Sequence, residues 1–302
     1  MKRIVSVSIG SSRRDSCVET EILGEKFIIE RIGTDGNIKK ALGLIKSLDG
    51  KVDALGMGGI DLYLWAGQHR YILRDAIPLK NAAKLTPIVD GSGLKDTLER
   101  IVIEYLAREK IIDFTNKTTL ITSALDRFGM AEAIDSYRGD LIIGDLIFAL
   151  GLDIPVYTLK HIHGIARWLA PLVCKLPFHI LYPTGGSQDG RKHSKLGKYY
   201  ERAHIIGGDF HYIKRYMPQT LGDKIIITNT VTKEDLQLLR ERGVKLLITT
   251  TPLLGDRSFG TNAMEAMMVA IIKDGKYNTY EEVIKVLDLK PRIEYLQTQE
   301  SL

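Results

Sequence analysis

The chain has 302 residues, 44% of them hydrophobic and 26% charged, with 42 Lys and Arg against 37 Asp and Glu for a net charge of +5. That is the make-up of a folded globular protein long enough for two domains. Two cysteines, Cys17 and Cys174, in no paired spacing argue against a disulfide framework and a cysteine zinc site, and no stretch reaches the roughly 18 apolar residues of a membrane span.

The opening Met1-Lys-Arg-Ile-Val-Ser-Val-Ser-Ile-Gly is too short and too strand-like for a secretory signal, so a cytoplasmic protein is expected. β-Branched runs follow at Arg3–Ile9, Lys26–Ile32, Val52–Leu55 and Thr86–Val89. Helical patterns lie between them at Ile38–Leu48 and Leu94–Arg108; Ile38, Leu42 and Ile45 share one helix face. A polar connector at Asp113–Lys117 interrupts the rhythm. Beyond it the runs are Thr119–Ser123, Leu141–Ile143, Val156–Leu159, Phe178–Leu181, His204–Ile206, Lys224–Thr228 and Lys245–Thr249. The intervening helical stretches are Ala131–Tyr137, Ile165–Leu172, Tyr212–Tyr216, Lys233–Arg242 and Asn262–Lys273, with Thr232 as an N-cap and Gly243 as a terminator.

Strands alternating with helices, without tight hairpins, read as βαβ units. The spacing predicts two mainly parallel α/β domains, 1–115 and 116–302, with a cleft between them. The first is expected to hold the substrate or ligand. Within the second, His204–Thr251 reads as a compact βαβαβ, which makes that domain Rossmann-like.

Glycine turns follow the strands at Gly10-Ser11-Ser12, Gly56-Met57-Gly58-Gly59, Asp90-Gly91-Ser92-Gly93, Thr184-Gly185-Gly186-Ser187 and Gly207-Gly208-Asp209. Ligands of open α/β sheets bind outside the carboxyl ends of the strands, where glycine lets backbone N–H groups approach an anion. On this reading Gly207 and Gly208 would pass the pyrophosphate of NAD or NADP. Asn229 and Thr230, at the end of the next strand, would stand near the ribose, and Thr250 and Thr251 are further cofactor-binding candidates. Asp209 departs from the glycine fingerprint, because its charge would repel a pyrophosphate.

Gly91, Ser92, Gly93 and Arg127 are the substrate-binding candidates, since a guanidinium suits a carboxylate or phosphate. Lys95 and Asp126 are the catalytic ones, each at a strand end where it could exchange a hydroxyl proton. His161-Ile-His163 would share one face of a strand, but no third ligand completes a metal site, so no metal is expected. Asp145 and Asp153 read as cap or turn residues. Met264, Met267 and Met268 read as core, and the basic stretch Arg191–Lys198 as a solvated loop or an anion-contacting flap. Aromatic content of 7% without a stacking motif argues against nucleic acid.

Ser6-Val-Ser-Ile-Gly-Ser-Ser-Arg-Arg-Asp, Ile32-Gly-Thr-Asp-Gly, Gly58-Gly-Ile-Asp-Leu-Tyr-Leu, Val89-Asp-Gly-Ser-Gly-Leu-Lys and Ser258-Phe-Gly-Thr-Asn resemble a clostridial family labelled quinate 5-dehydrogenase, placed among NAD(P)-binding Rossmann proteins. The resemblance runs along the whole chain. It implies an NAD(P)-dependent oxidoreductase acting on a small hydroxylated carboxylic acid of the quinate or shikimate type. Quinate and shikimate dehydrogenases carry an Asn-Val-Thr-x-Pro-x-Lys stretch with a catalytic lysine, which pairs with an aspartate, and a Gly-x-Gly-Gly turn. Here Asn229-Thr-Val-Thr-Lys-Glu-Asp echoes the first without its proline, and the second is not intact. Two other readings stay open: a non-catalytic sensor of a small anionic molecule, and a phosphate- or carboxylate-binding enzyme of another class. The expected partner is a small anionic or polyhydroxylated ligand, with no membrane, and assembly into a homo-oligomer is left open.

Overall fold

The computed structural model describes residues 1–66, 69–176, 196–251, 253–254 and 257–297. The chain forms two compact units. One consists of Met1–Leu98, Leu253–Leu289 and the described part of Trp168–Gln188; the other consists of Glu99–Arg167 and the described parts of Asp189–Pro252 and Lys290–Leu302. In place of the single boundary at 115/116 expected from the sequence, the first crossing falls at Leu98/Glu99, inside a helix, and the chain returns to each unit.

In chain order the elements are β1 (Lys2–Ser8), β2 (Ser16–Ile22), β3 (Glu25–Gly33), α1 (Ile38–Leu48), β4 (Ala54–Gly58), β5 (Tyr63–Ala66), β6 (His69–Ile72), α2 (Ile77–Ala82), β7 (Ile88–Val89) and α3 (Ser92–Arg108). Then come β8 (Thr118–Ile121), α4 (Phe128–Asp135), β9 (Asp140–Ile143), α5 (Leu159–Val173), α6 (Gly197–Arg202), β10 (Ile205–Gly207), α7 (Phe210–Tyr216) and β11 (Ile225–Thr228). The chain continues with α8 (Lys233–Glu241), β12 (Leu246–Thr249), α9 (Thr261–Ile272), α10 (Tyr280–Val286) and β13 (Arg292–Tyr295).

In the first unit the sheet order is β2-β3-β1-β4-β7, parallel throughout except for β2, which runs antiparallel to β3. β1 is central, and its apolar run is buried on both faces. Val5, Val7, Leu55 and Met57 point to one face and pack with Ala41 and Ile45 of α1 and Leu79 of α2. The opposite face is covered by α9, which is buried nearly all round and lies on β1, β4 and β7. Met264, Met267 and Met268 are fully buried in it.

The second unit has the order β13-β12-β11-β10-β8-β9, parallel except for β13. Its core combines Leu120, Ile142, Ile206, Ile226 and Leu247 from the strands with Tyr200, Phe210, Ile213 and Leu239 from helices. Taken by position in the chain, the five parallel strands stand second, first, third, fourth, fifth from the β9 edge, a doubly wound order that switches direction between β8 and β10. Both units are thus α/β with mainly parallel sheets, the second Rossmann-like.

Several local expectations differ from the structure. Leu23 and Gly24, at φ 54° and 79°, close a two-residue hairpin between β2 and β3, and β5 pairs with β6 in a second hairpin. The alternation in Ser16-Cys-Val-Glu-Thr-Glu-Ile is that of an edge strand with one face in solvent. Val156–Leu159 is not a strand: Val156 makes a single bridge to Ile143, and Leu159 opens α5. His161 and His163 therefore lie on a helix, where positions two apart diverge, and His163 packs against Phe128 at 5.0 Å between ring centroids. Phe178–Leu181, the Thr184–Ser187 turn and Arg191–Lys195 lie outside the described residues. Among the described residues no helix is long and apolar enough to cross a membrane.

Candidate functional site

In the second unit the ends of β8 and β10 flank the switch point, where a doubly wound sheet receives its ligand. Arg127, the residue before α4, is fully buried there among three carboxylates. Its Nη1 binds Glu99, Nε lies 3.2 Å from Asp126 and Nη2 lies 3.0 Å from Asp209. Burial opposes the charge on the guanidinium, but Glu99, Asp126 and Asp209 outweigh it and hold Arg127 more firmly protonated than usual. Asp209 also caps α7, accepting the His211 N–H at 2.8 Å, and takes a hydrogen bond of 2.9 Å from Asn229 Nδ2. Its side chain retains 20% of its exposure, and Asn229 and Thr230 are half-buried beside it.

The polar ends of the neighbouring strands organise this edge. Thr228 Oγ1 donates to the Gly208 carbonyl at 2.7 Å, and Thr251 Oγ1 to the Asn229 carbonyl at 2.7 Å. Thr250 donates its N–H to the Thr228 carbonyl, and both Thr250 and Thr251 are buried. Gly208 is required by its backbone, at φ +139°, and by Thr122, whose Oγ1 lies 2.0 Å from where a Cβ would be. Asp145, buried below, accepts the N–H groups of Ala124 and Leu125, which set the turn after β8; burial pushes its carboxyl up to about 6.

A dinucleotide would need free N–H donors at the turn after β10. There the Gly208 N–H donates to the Ile227 carbonyl, the Phe210 N–H to Asn229 Oδ1 and the His211 N–H to Asp209. These donors are spent within the protein, and the turn presents a carboxylate. The residues of this turn do not fit a pyrophosphate.

The other candidates gather in the first unit. Lys95 Nζ lies 2.6 Å from Asp61, with both side chains largely buried. Ser92 donates its hydroxyl to Asp90 at 2.8 Å, and Asp90 also accepts the Leu62 N–H at 2.6 Å. Gly91 donates its N–H to Glu265 Oε2 at 2.6 Å, and Tyr280 its hydroxyl to Glu265 Oε1 at 2.9 Å. A Cβ on Gly91 would meet the Asn262 backbone at 2.8 Å, and one on Gly93 would meet Glu265 at 2.5 Å. These glycines thus admit α9 to the sheet. Burial pushes the Glu265 carboxyl up to about 7, with the Asp90 charge adding to it.

Lys95, Gly91, Ser92 and Gly93 therefore form one cluster in the first unit, and Arg127, Asp126 and the Gly207–Asp209 turn another in the second. Sequence reasoning missed Glu99, Asp61, Glu265 and Tyr280. Glu265 had a signal: a lone acid inside Ala263-Met-Glu-Ala-Met-Met, where no solvated face exists to receive it. Glu99 and Asp61 had none, since an acid on a helix or in a polar turn is ordinarily solvated.

The fold and these clusters define a two-unit α/β protein with polar residues at the carboxyl ends of both sheets. The chain belongs to the family described as Domain of unknown function (DUF8754), whose model matches residues 93–296. A second model, Domain of unknown function (DUF8753), matches residues 3–90. No curated protein matches the chain. Among solved structures, the hetero-hexameric glutamate dehydrogenase from Thermus thermophilus is 9% identical with a TM-score of 0.46, over 95% of this chain and 72% of that one. An ABC transporter solute binding protein from Agrobacterium vitis with bound allitol is 13% identical with a TM-score of 0.41, over 98% and 96%. A glucose-galactose binding protein from Geobacillus stearothermophilus is 12% identical with a TM-score of 0.40, over 99% of each chain. Likeness at this level is one of general α/β architecture.

Proposed function

We propose that this protein binds a small polyhydroxylated molecule at the strand ends of the second unit, with Asp209, Asn229 and Thr230 meeting its hydroxyls. The observation that carries the reading is the commitment of Arg127. Glu99, Asp126 and Asp209 take up its guanidinium, and the Asp209 side chain keeps part of its exposure at the strand ends. Hydroxyl groups donate well to a carboxylate such as that of Asp209. Asn229 adds an amide, and Thr122, Thr228 and Thr251 hold the backbone beneath in place.

A second reading, a dehydrogenase acting on a hydroxylated acid, is favoured by the Lys95–Asp61 pair. A buried lysine hydrogen-bonded to an aspartate can pass a proton to and from a substrate hydroxyl. The turn after β10 argues against this reading.

Thermal shift of the full chain with quinate, shikimate, glucose, ribose, NAD and NADP separates the two. A ligand at about 100 times its dissociation constant stabilises by roughly 2.7 kcal/mol. A polyol or sugar is expected to raise the midpoint in the wild type and to lose its effect in Asn229→Ala. If no polyhydroxylated compound shifts the midpoint, or if Asn229→Ala responds like the wild type, the binding reading is wrong. A shift with NAD or NADP in its place would establish the dehydrogenase reading.

A further inference from the structure

One apolar surface of the first unit stands open to solvent. The chain re-enters that unit at Trp168, within α5. The helix and its last turn direct Ile162, Ala166, Ala170 and Cys174 inward along one face, and all four are buried. Val173 and Cys174 pack against the core of the first unit. The outward face of such a helix is ordinarily polar. Here it carries Trp168, 80% exposed, and Leu172, 63% exposed, with Leu169 and Leu176 beside them at 37% each. A single apolar side chain in solvent is ordinary, but these stand together. They expose apolar area on the order of a few hundred Å², the size at which a patch marks a contact surface.

The charge of this stretch is of one sign. From Ile154 to Gln188 the sequence contains Lys160, Arg167 and Lys175 and no aspartate or glutamate. Lys175 is exposed, and its N–H donates to the Leu172 carbonyl at 3.1 Å. The Arg74 N–H donates to the Cys174 carbonyl at 3.0 Å, which sets the exposed Arg74 at the same end of the helix, followed by the half-buried Asp75. A second copy meeting this face about a two-fold axis would set two cationic rims against each other. The patch lies on the convex outside of a helix, a shape that enters a soft surface more readily than it receives a partner's side chain. An anionic lipid surface satisfies both conditions, since it accepts Trp and Leu at the headgroup boundary and attracts Lys and Arg around them.

We propose that this face docks the protein onto an anionic lipid bilayer, with Trp168, Leu169, Leu172 and Leu176 entering the headgroup boundary and Lys175 and Arg74 meeting the lipid anions. Contacts of this kind run along the surface and need no spanning helix, and among the described residues none is long and apolar enough to span. The contact departs from the sequence-based expectation of no membrane, and it stands independently of the polyol reading of the second unit.

Co-sedimentation of the full chain with vesicles tests it, using phosphatidylcholine alone and phosphatidylcholine with about a third of phosphatidylserine. Binding to the anionic vesicles is expected, and it should weaken as salt is raised. Trp168 and Lys175 are exposed, so variants at either will fold, as circular dichroism would verify. Trp168→Ala should bind about tenfold more weakly, and Lys175→Gln about fivefold, the loss of one basic residue near an anionic surface. Tryptophan emission of the wild type should shift to the blue on binding. Trp168→Phe should still bind and lose that shift. No binding to the anionic vesicles, equal binding to both compositions, or unchanged binding in Trp168→Ala overturns the proposal. Self-association in analytical ultracentrifugation that disappears in Trp168→Ala would assign the face to a second copy and overturn it as well.

Discussion

Replacing Glu265 by glutamine should make the protein more stable at alkaline pH and leave it nearly unchanged in mild acid. Glu265 sits within α9 with 4% of its surface exposed. Its oxygens accept the Gly91 N–H and the Tyr280 hydroxyl, and Asp90 stands close by. Burial raises its pKa from 4.5 to about 7. The folded protein therefore holds a proton between those values that the unfolded chain has released. The contribution of this group to stability is full below about pH 4.5 and is lost as the pH rises to 7. Two and a half pH units correspond to about 3 kcal/mol. Glutamine has the shape and neutrality of the protonated acid: its oxygen can keep the Gly91 N–H, and its amide can donate to the Tyr280 oxygen. Urea denaturation of both proteins at pH 5 and pH 8 isolates the effect, because other titrating groups cancel in the difference. Glu265→Gln should gain about 2.5 kcal/mol on the wild type between the two pH values, since about 1 kcal/mol of the effect is already spent at pH 5 and any repacking cost cancels in the comparison. Parallel pH profiles for the two proteins would refute the reasoning.

Arg127→Ala removes a buried guanidinium from against Glu99 and Asp126, and should cost about 3–5 kcal/mol in urea denaturation; a loss below about 1 kcal/mol would mean that water or neighbouring groups replace the guanidinium freely. Gly208→Ala should destabilise by about 3 kcal/mol, because the residue sits at φ +139° and its methyl group would strike Thr122 Oγ1. Adding Thr122→Ala removes the clash but not the backbone strain, so the double variant should recover part of the loss; equal stability of the single and double variants would assign the whole cost to the backbone.

By itself the sequence determined the periodic elements and the class they build. The β-branched runs at Lys224–Thr228 and Lys245–Thr249 became β11 and β12, and the pattern at Ile38–Leu48 became α1, because burial on both faces of a parallel strand and on one stripe of a helix leaves a local imprint. Thr232 is the N-cap of α8, within a capping box completed by Asp235, since capping is decided over four residues. The edge hairpin at β2 and β3 was within reach as well, in its alternation, but its Leu23-Gly24 turn lacks the usual Asn or Asp signal.

Only the tertiary structure decided what the glycines and charges do. Gly56 and Gly91 resemble anion-binding turns in sequence, yet a Cβ at either would meet Asn262, some two hundred residues along the chain or nearly so. Arg127 reads as a recognition residue until Glu99 and Asp209 are found against it, from α3 and from the turn after β10. Gly10 reads as one glycine turn among five, and only folding brings Arg31 across from β3 to face Arg14 over it. A side chain's role depends on the charges and walls around it, and in a parallel sheet those come from strands a crossover or more away, beyond the reach of any local pattern.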